Sequence, residues 1–302
     1  MSSKTSETTE GRPVEEAAPA EAEDVRAPLA GLPHALIRAE GAGVQFNLRD
    51  LWAYRELLYF LTWRDIKVRY KQTLMGVAWV IIQPLMLMVV FTLVFNRFVG
   101  AGGGAIPYPL FAYAGLLLWT FFSVSVSSGM NSLIGNTSLV TKVYFPRVFI
   151  PAAAVGAGLV DLSVGAVLLV PLGAYYGVGV SPALLLLPGF VLLAAALALS
   201  VGMMVAALTV RYRDLRHALP FLLQLWMFAS PVIYPVGVVP ERWRWLLAAN
   251  PMTGVLEGFR ASLAGTPLDW GLVAVPLAAA PLLLAIAFYV FRSLEDTFAD
   301  II

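Results

Sequence analysis

Three stretches without a single charged residue dominate this chain of 302: 25 residues (Gln72–Asn96), 44 residues (Phe98–Thr141) and 49 residues (Leu162–Val210). A helix needs about 20 apolar residues to cross a bilayer, so each run supplies one or two crossings. The composition agrees, at 59% hydrophobic and 13% charged, where soluble domains carry roughly 25% charge. In lipid every backbone N–H and C=O must be bonded inside its own segment, which leaves helices as the natural solution for runs of this length. The chain reads as an all-α integral membrane protein.

The turns divide the runs into six expected spans. Gln72–Asn96 is the first. A Gly/Pro-rich turn at Gly100–Pro109 precedes the second, Phe111–Ile134, and the polar loop from Gly135 to Arg147 leads to the third, Phe149–Ala174. The turn Tyr175–Pro182 separates it from the fourth, which ends at Val210. The cluster RYRDLRH (Arg211–His217) introduces the fifth, Ala218–Tyr234, and Trp270–Phe291 is the sixth. Between the last two, Pro235–Asp269 holds two helix-like runs broken at Asn250–Pro251, each too short to span. Such half-helices read as a re-entrant cap, or as a surface pair anchored by Trp243 and Trp245 at the head groups.

Cations set the orientation. With the N-terminus inside, twelve Arg and Lys residues fall on inner segments and only Arg97, Arg242, Arg244 and Arg260 on outer ones. Positive charge is retained on the cytoplasmic side during insertion, so both termini are expected in the cytoplasm. Residues 1–45 carry eight acids against Lys4, Arg12, Arg26 and Arg38, with few large apolar side chains. They are expected to be a disordered acidic tail. No basic start followed by an apolar core marks them as a cleavable signal.

The chain divides into this tail (1–45), an amphipathic segment with a basic cluster (46–71), the six-span domain (72–292) and a cytoplasmic C-terminus (293–302). In the amphipathic segment Leu51, Tyr54, Leu57, Leu58 and Leu61 share one helical face. That pattern suits a helix lying in the membrane interface. Arg64, Lys67, Arg69, Tyr70 and Lys71 follow directly, with Asp65 among them. Such cations can attract phosphate groups at the inner leaflet. They can equally be anchoring charges of the kind any membrane protein shows.

Other chemistry is largely excluded. There is no cysteine for a disulfide, thiolate site or nucleophile. Only His34 and His217 are available for metal or acid–base work, so no metal site and no catalytic set are expected. Asp161 is the one acid inside a span. A lone membrane carboxylate suits a packing ion pair with a cytoplasmic-side arginine better than proton coupling. No G-x-x-x-x-G-K-[ST] phosphate loop occurs, so ATP hydrolysis by that route is not available to this chain.

Four blocks carry a family resemblance: RDIKVRYKQTLMGVAWVIIQPL (Arg64–Leu85), VYFPRVFIP (Val143–Pro151), RYRDLRHALPFLLQLWMFASPVIYP (Arg211–Pro235) and NPMTGVLEGFR (Asn250–Arg260). In this order, on a six-span layout, they resemble the membrane-spanning subunit of bacterial polysaccharide ABC exporters, within the type-2 ABC permease family. The resemblance covers Leu51 to Arg292. It implies a permease, not an enzyme, that moves lipid-linked O-antigen, capsule or teichoic acid polymers across the cytoplasmic membrane. It further implies a homodimer paired with a separate cytoplasmic ATPase, which would hold the ATP and Mg. No cofactor is expected on this chain, and no nucleic acid partner.

The same resemblance assigns roles. Lys142, Tyr144, Phe145, Pro146 and Arg147 would form the loop that seats on the ATPase, unless Lys142 and Arg147 only mark the inner side. Phe91, Phe95, Tyr113, Trp119, Phe122, Trp226, Phe228 and Tyr234 are candidate sugar-stacking residues of a polymer channel, although single aromatics on spans usually face lipid. Arg242, Trp243, Trp245 and Arg260 would line an outer gate. A drug or lipid exporter of the same permease class is the alternative. An intramembrane glycosyl or acyl transferase would need a convergent set of acids or histidines, and Asp161 stands alone.

Overall fold

The computed structural model describes residues 54–71, 76–95, 106–142 and 145–301. The acidic tail, the start of the first expected span and Tyr144 lie outside these residues. All regular structure among the described residues is helical, in the order α1 (Arg55–Tyr70), α2 (Ala78–Val94), α3 (Tyr108–Gly135), α4 (Thr137–Lys142), α5 (Phe149–Ala166), α6 (Leu169–Tyr175), α7 (Leu187–Arg211), α8 (Leu215–Phe228), α9 (Glu241–Ala249), α10 (Pro251–Ala264) and α11 (Trp270–Ile301).

Helix α3 is the centre of the bundle. It is apolar all round, which is the mark of a helix buried on every side, and its residues from Leu110 to Trp119 are all buried. It packs between α5 and α7, and α7 in turn packs on α11. Small residues permit these close approaches. A methyl group on Gly129 of α3 would stand 3.3 Å from the Cα of Gly202 on α7, so the two backbones cross almost without side chains between them.

Four helical segments are long and apolar enough to cross a membrane: Tyr108–Gly135, Phe149–Tyr175, Pro182–Arg211 and Trp270–Glu295. They match the expected second, third, fourth and sixth spans. The third is broken between α5 and α6, where Pro171 has no N–H to give the carbonyl four residues earlier and its ring crowds that turn. The last helix continues through the expected C-terminal segment to Ile301, despite Pro276 and Pro281 in its first half.

The other two expected spans are shorter. Helix α2 has 17 residues, about 26 Å at 1.5 Å per residue. Helix α8 has 14 and ends at Phe228, short of the expected Tyr234. The run Ser230–Pro231 explains the stop: proline biases the residue before it away from helical geometry and offers no amide of its own. Helices α9 and α10 meet at Asn250, as expected.

Helix α1 follows the flank of α5 in the same direction. Tyr54 meets Phe149 ring to ring at 6.4 Å. Thr62 sits against Gly156, where a methyl group would come within 3.0 Å of its side chain. At the far end Arg69 and Tyr70 reach Asp161. Helix α1 is thus braced along α5, with Leu61 turned inward and Tyr59, Phe60 and Trp63 exposed.

Candidate functional site

The basic cluster on α1 divides by partner. Arg64 donates to Asp65 next door at 2.8 Å. Arg69 forms an ion pair with Asp161, and the Tyr70 hydroxyl donates to the other oxygen of the same carboxylate. Burial, and then the hydrogen bond to Asp161, raise the pKa of the Tyr70 phenol well above its usual range, so it remains a proton donor at any physiological pH. Lys67 and Lys71 are exposed. Asp161 lies twelve residues into α5, about 18 Å along its axis. Its other side faces a half-open notch of 140 Å³ between α2, α3 and α5, lined by Trp79, Gln83, Thr120, Phe121 and Leu162 among others. The arginine partner expected for Asp161 is therefore Arg69.

The loop between α3 and α5 is built differently. Helix α4 leaves Ser138, Thr141 and Lys142 exposed. Phe145 is buried with Leu61, Phe149 and Phe291, so it braces the loop from within. Arg147 donates to the backbone carbonyl of Glu295, whose carboxylate accepts the Arg147 backbone N–H at 3.3 Å and pairs with Arg292 at 2.9 Å. This ties the loop to the end of α11. Pro146 is half-buried beside it.

Five of the eight expected channel aromatics fall into two clusters. Trp119, Phe122 and Trp226 form one cluster joining α3 to α8, with Phe122 edge-on to Trp226 at 5.1 Å. Phe91 and Phe95 form another, continued by Tyr108, which stacks on Phe95 at 5.8 Å. Tyr113 is buried and donates to the carbonyl of Gly165 at 2.8 Å. Tyr234 donates to the carbonyl of Phe228 at 2.9 Å. Of the eight, Phe228 alone is exposed.

Of the four residues placed at the outer gate, Arg242, Trp243 and Trp245 are exposed on α9. Arg260 is not: it is 4% exposed. Its guanidinium donates to the carbonyls of Pro231 (2.6 Å), Val232 (2.5 Å) and Phe111 (3.3 Å), pairs with Glu257 at 2.9 Å and lies 3.5 Å over the Phe111 ring. It clamps the turn after α8 to α3 and α10. Asn250 is a second hub, accepting from Trp226 Nε1 (3.2 Å) and from the Met252 N–H that opens α10 (3.1 Å), and donating to Ser230 (2.8 Å). Sequence reasoning placed a helix break at Asn250–Pro251 without seeing this role. Asn before Pro at a helix start is a known capping signal. Glu295 was also missed, and nothing local marks it.

The chain as a whole is similar to known proteins. The model for the family described as "ABC-2 type transporter" matches residues 56–264. The O-antigen export system permease protein RfbA of Myxococcus xanthus is 33% identical over 257 residues, covering 84% of this chain and 98% of that protein. The protein of the same name from Klebsiella pneumoniae is 26% identical over 264 residues, 86% of this chain and 98% of its own length. With the family model running from α1 to the end of α10 and four membrane-length helices in the bundle, this chain belongs to the ABC-2 type transporter family of integral membrane proteins.

Proposed function

We propose that this chain is the permease subunit of an ATP-driven exporter that carries a lipid-linked, O-antigen-like polysaccharide across the cytoplasmic membrane. The observation that carries this reading is the similarity to the Myxococcus xanthus permease along almost that protein's whole length. The chain works as a transporter without catalysis of its own. Two copies enclose the channel, and a separate ATPase holds ATP and Mg. The missing phosphate loop supports that division of labour.

In this reading α2 and α8 are the remaining two of six spans. α9 and α10 form the re-entrant cap on the outer face, and both termini are cytoplasmic. Twelve inner cations against four outer ones support that orientation. The ATPase seats on α4 and the residues up to Arg147, with Lys142 presented and Phe145 and Arg147 transmitting movement to α5 and α11. The α1 cluster receives the lipid diphosphate, and Trp243 and Trp245 flank the exit. The exposed Phe228 and the half-buried Trp226 line the polymer's path, with Trp119 and Phe122 packed in the core beneath Trp226.

The test is reconstitution of the chain with the ATPase encoded beside it. A stable complex whose ATP hydrolysis rises on adding lipid-linked polymer is the expected result. Absence of both complex and stimulation contradicts the proposal.

A further inference from the structure

Resting on the reading of the α1 cluster as the site that receives the lipid-linked substrate, we infer that Asp161 is a built-in competitor for that site: its carboxylate occupies Arg69 and Tyr70 until a diphosphate headgroup displaces it. The carboxylate and the headgroup are alternative ligands for the same donors.

Three observations carry the inference. First, Asp161 receives both the Arg69 guanidinium and the Tyr70 hydroxyl, one on each oxygen, as a phosphate would. Arginine and a hydroxyl donor form the kind of pair that grips a phosphate oxygen edge. Second, the pair is not sealed. The Arg69 side chain is 29% exposed and Asp161 16%, and Asp161 borders the 140 Å³ notch whose walls include Trp79, Phe121 and Leu162. That volume is too small to enclose a lipid. It suits a headgroup at the side of the bundle, with the tail lying along the exposed apolar face of α2, where Trp79, Val90 and Leu93 are bare.

Third, the charge balance is wrong for a purely structural pair. Arg64, Lys67, Arg69 and Lys71 face only Asp65 and Asp161 among the described residues. Two ammonium groups are left over, and Lys67, Tyr70 and Lys71 share one face of α1 by their three- and four-residue spacing. A diphosphate ester brings the two negative charges that balance them.

Such competition lowers apparent affinity in proportion to the fraction of molecules in which the site is free. A latch closed nine-tenths of the time weakens binding about tenfold. It also lets the substrate alone release the C-terminal end of α1 from α5.

The experiment measures binding of farnesyl diphosphate, inorganic pyrophosphate and farnesol to the full-length chain in nanodiscs. It compares wild type, Asp161→Asn, Asp161→Glu, Arg69→Gln and the Asp161→Asn/Arg69→Gln double variant, each checked by thermal unfolding. Asp161→Asn is expected to bind farnesyl diphosphate about tenfold tighter than wild type, and the double variant to lose the gain. Asp161→Glu, which displaces the carboxylate by one methylene, is expected to shift the same way by a smaller factor, and it stands in if the asparagine variant does not fold. Pyrophosphate following the same order as farnesyl diphosphate identifies the headgroup as the ligand, and farnesol shows no dependence on Asp161. Wild type that binds farnesyl diphosphate while neither Asp161 variant binds tighter overturns the latch and leaves the receiving site intact. No binding of either phosphate compound to any folded variant overturns both.

Discussion

Two arginines in this molecule hold helices together in opposite ways. Arg260 is buried, saturated by three backbone carbonyls and a carboxylate, and capped by a ring. Arg69 is part-exposed and shares one carboxylate with a tyrosine beside an open notch. Removing a buried, fully paired charge leaves several groups desolvated and unpaired, whereas water can replace the partners of an exposed one. The first arrangement fixes geometry where α3, the turn after α8 and α10 meet. The second can be exchanged for another ligand. The two differ in burial and in number of partners, although both were read from sequence as functional cations.

The sharpest way to break this comparison is to remove both arginines in turn. Arg260→Gln leaves the Val232 and Pro231 carbonyls and Glu257 without their donor, and is expected to cost about 3–5 kcal/mol. Thermal unfolding in detergent would show it as a large drop in melting temperature. An unchanged melt would mean that Arg260 is not the clamp described. Asn250→Ala removes the cap of α10 and the acceptor for Trp226, with an expected loss of about 2 kcal/mol, measured the same way. Arg69→Gln leaves a part-exposed carboxylate that Tyr70 still donates to, and is expected to cost about 1–2 kcal/mol, yet to abolish most polymer export. Equal losses of stability from Arg69→Gln and Arg260→Gln would erase the distinction. Smallest in stability is Glu295→Gln, within about 1 kcal/mol. Its effect is expected in coupling, as ATP hydrolysis by the complex that no longer responds to polymer.

The same contrast explains what could be read from sequence. The long helices α3, α5, α7 and α11 are legible because length without charge is a local property, and their boundaries follow charges and turns. The break at Asn250 was legible from Asn–Pro in a helical context. The end of α8 six residues early was carried by Ser230–Pro231, a local signal that the apolar run Ala218–Tyr234 outweighed. The burial of Arg260 was not legible. Its acceptors lie 28, 29 and 149 residues away, and nothing near it distinguishes it from the exposed Arg242 or Arg244. The course of α1 was hidden for the same reason, since it depends on Gly156 making room for Thr62 and on Asp161 needing a counter-ion. The aromatic residues show the limit from the other direction. Their number suggested a channel, but Tyr113 and Phe122 are fully buried within one subunit, and composition alone does not tell a stacking platform from a core.

The central claim is that this chain carries lipid-linked polysaccharide outward. The most direct measurement is the amount of polymer at the surface of cells lacking the gene, and of the same cells supplied with the wild-type chain or with Arg69→Gln. Surface polymer should be absent without the gene, with lipid-linked polymer accumulating inside, should return with the wild type, and should stay low with a stably inserted Arg69→Gln. Surface polymer at the normal level in cells without the chain would contradict the account.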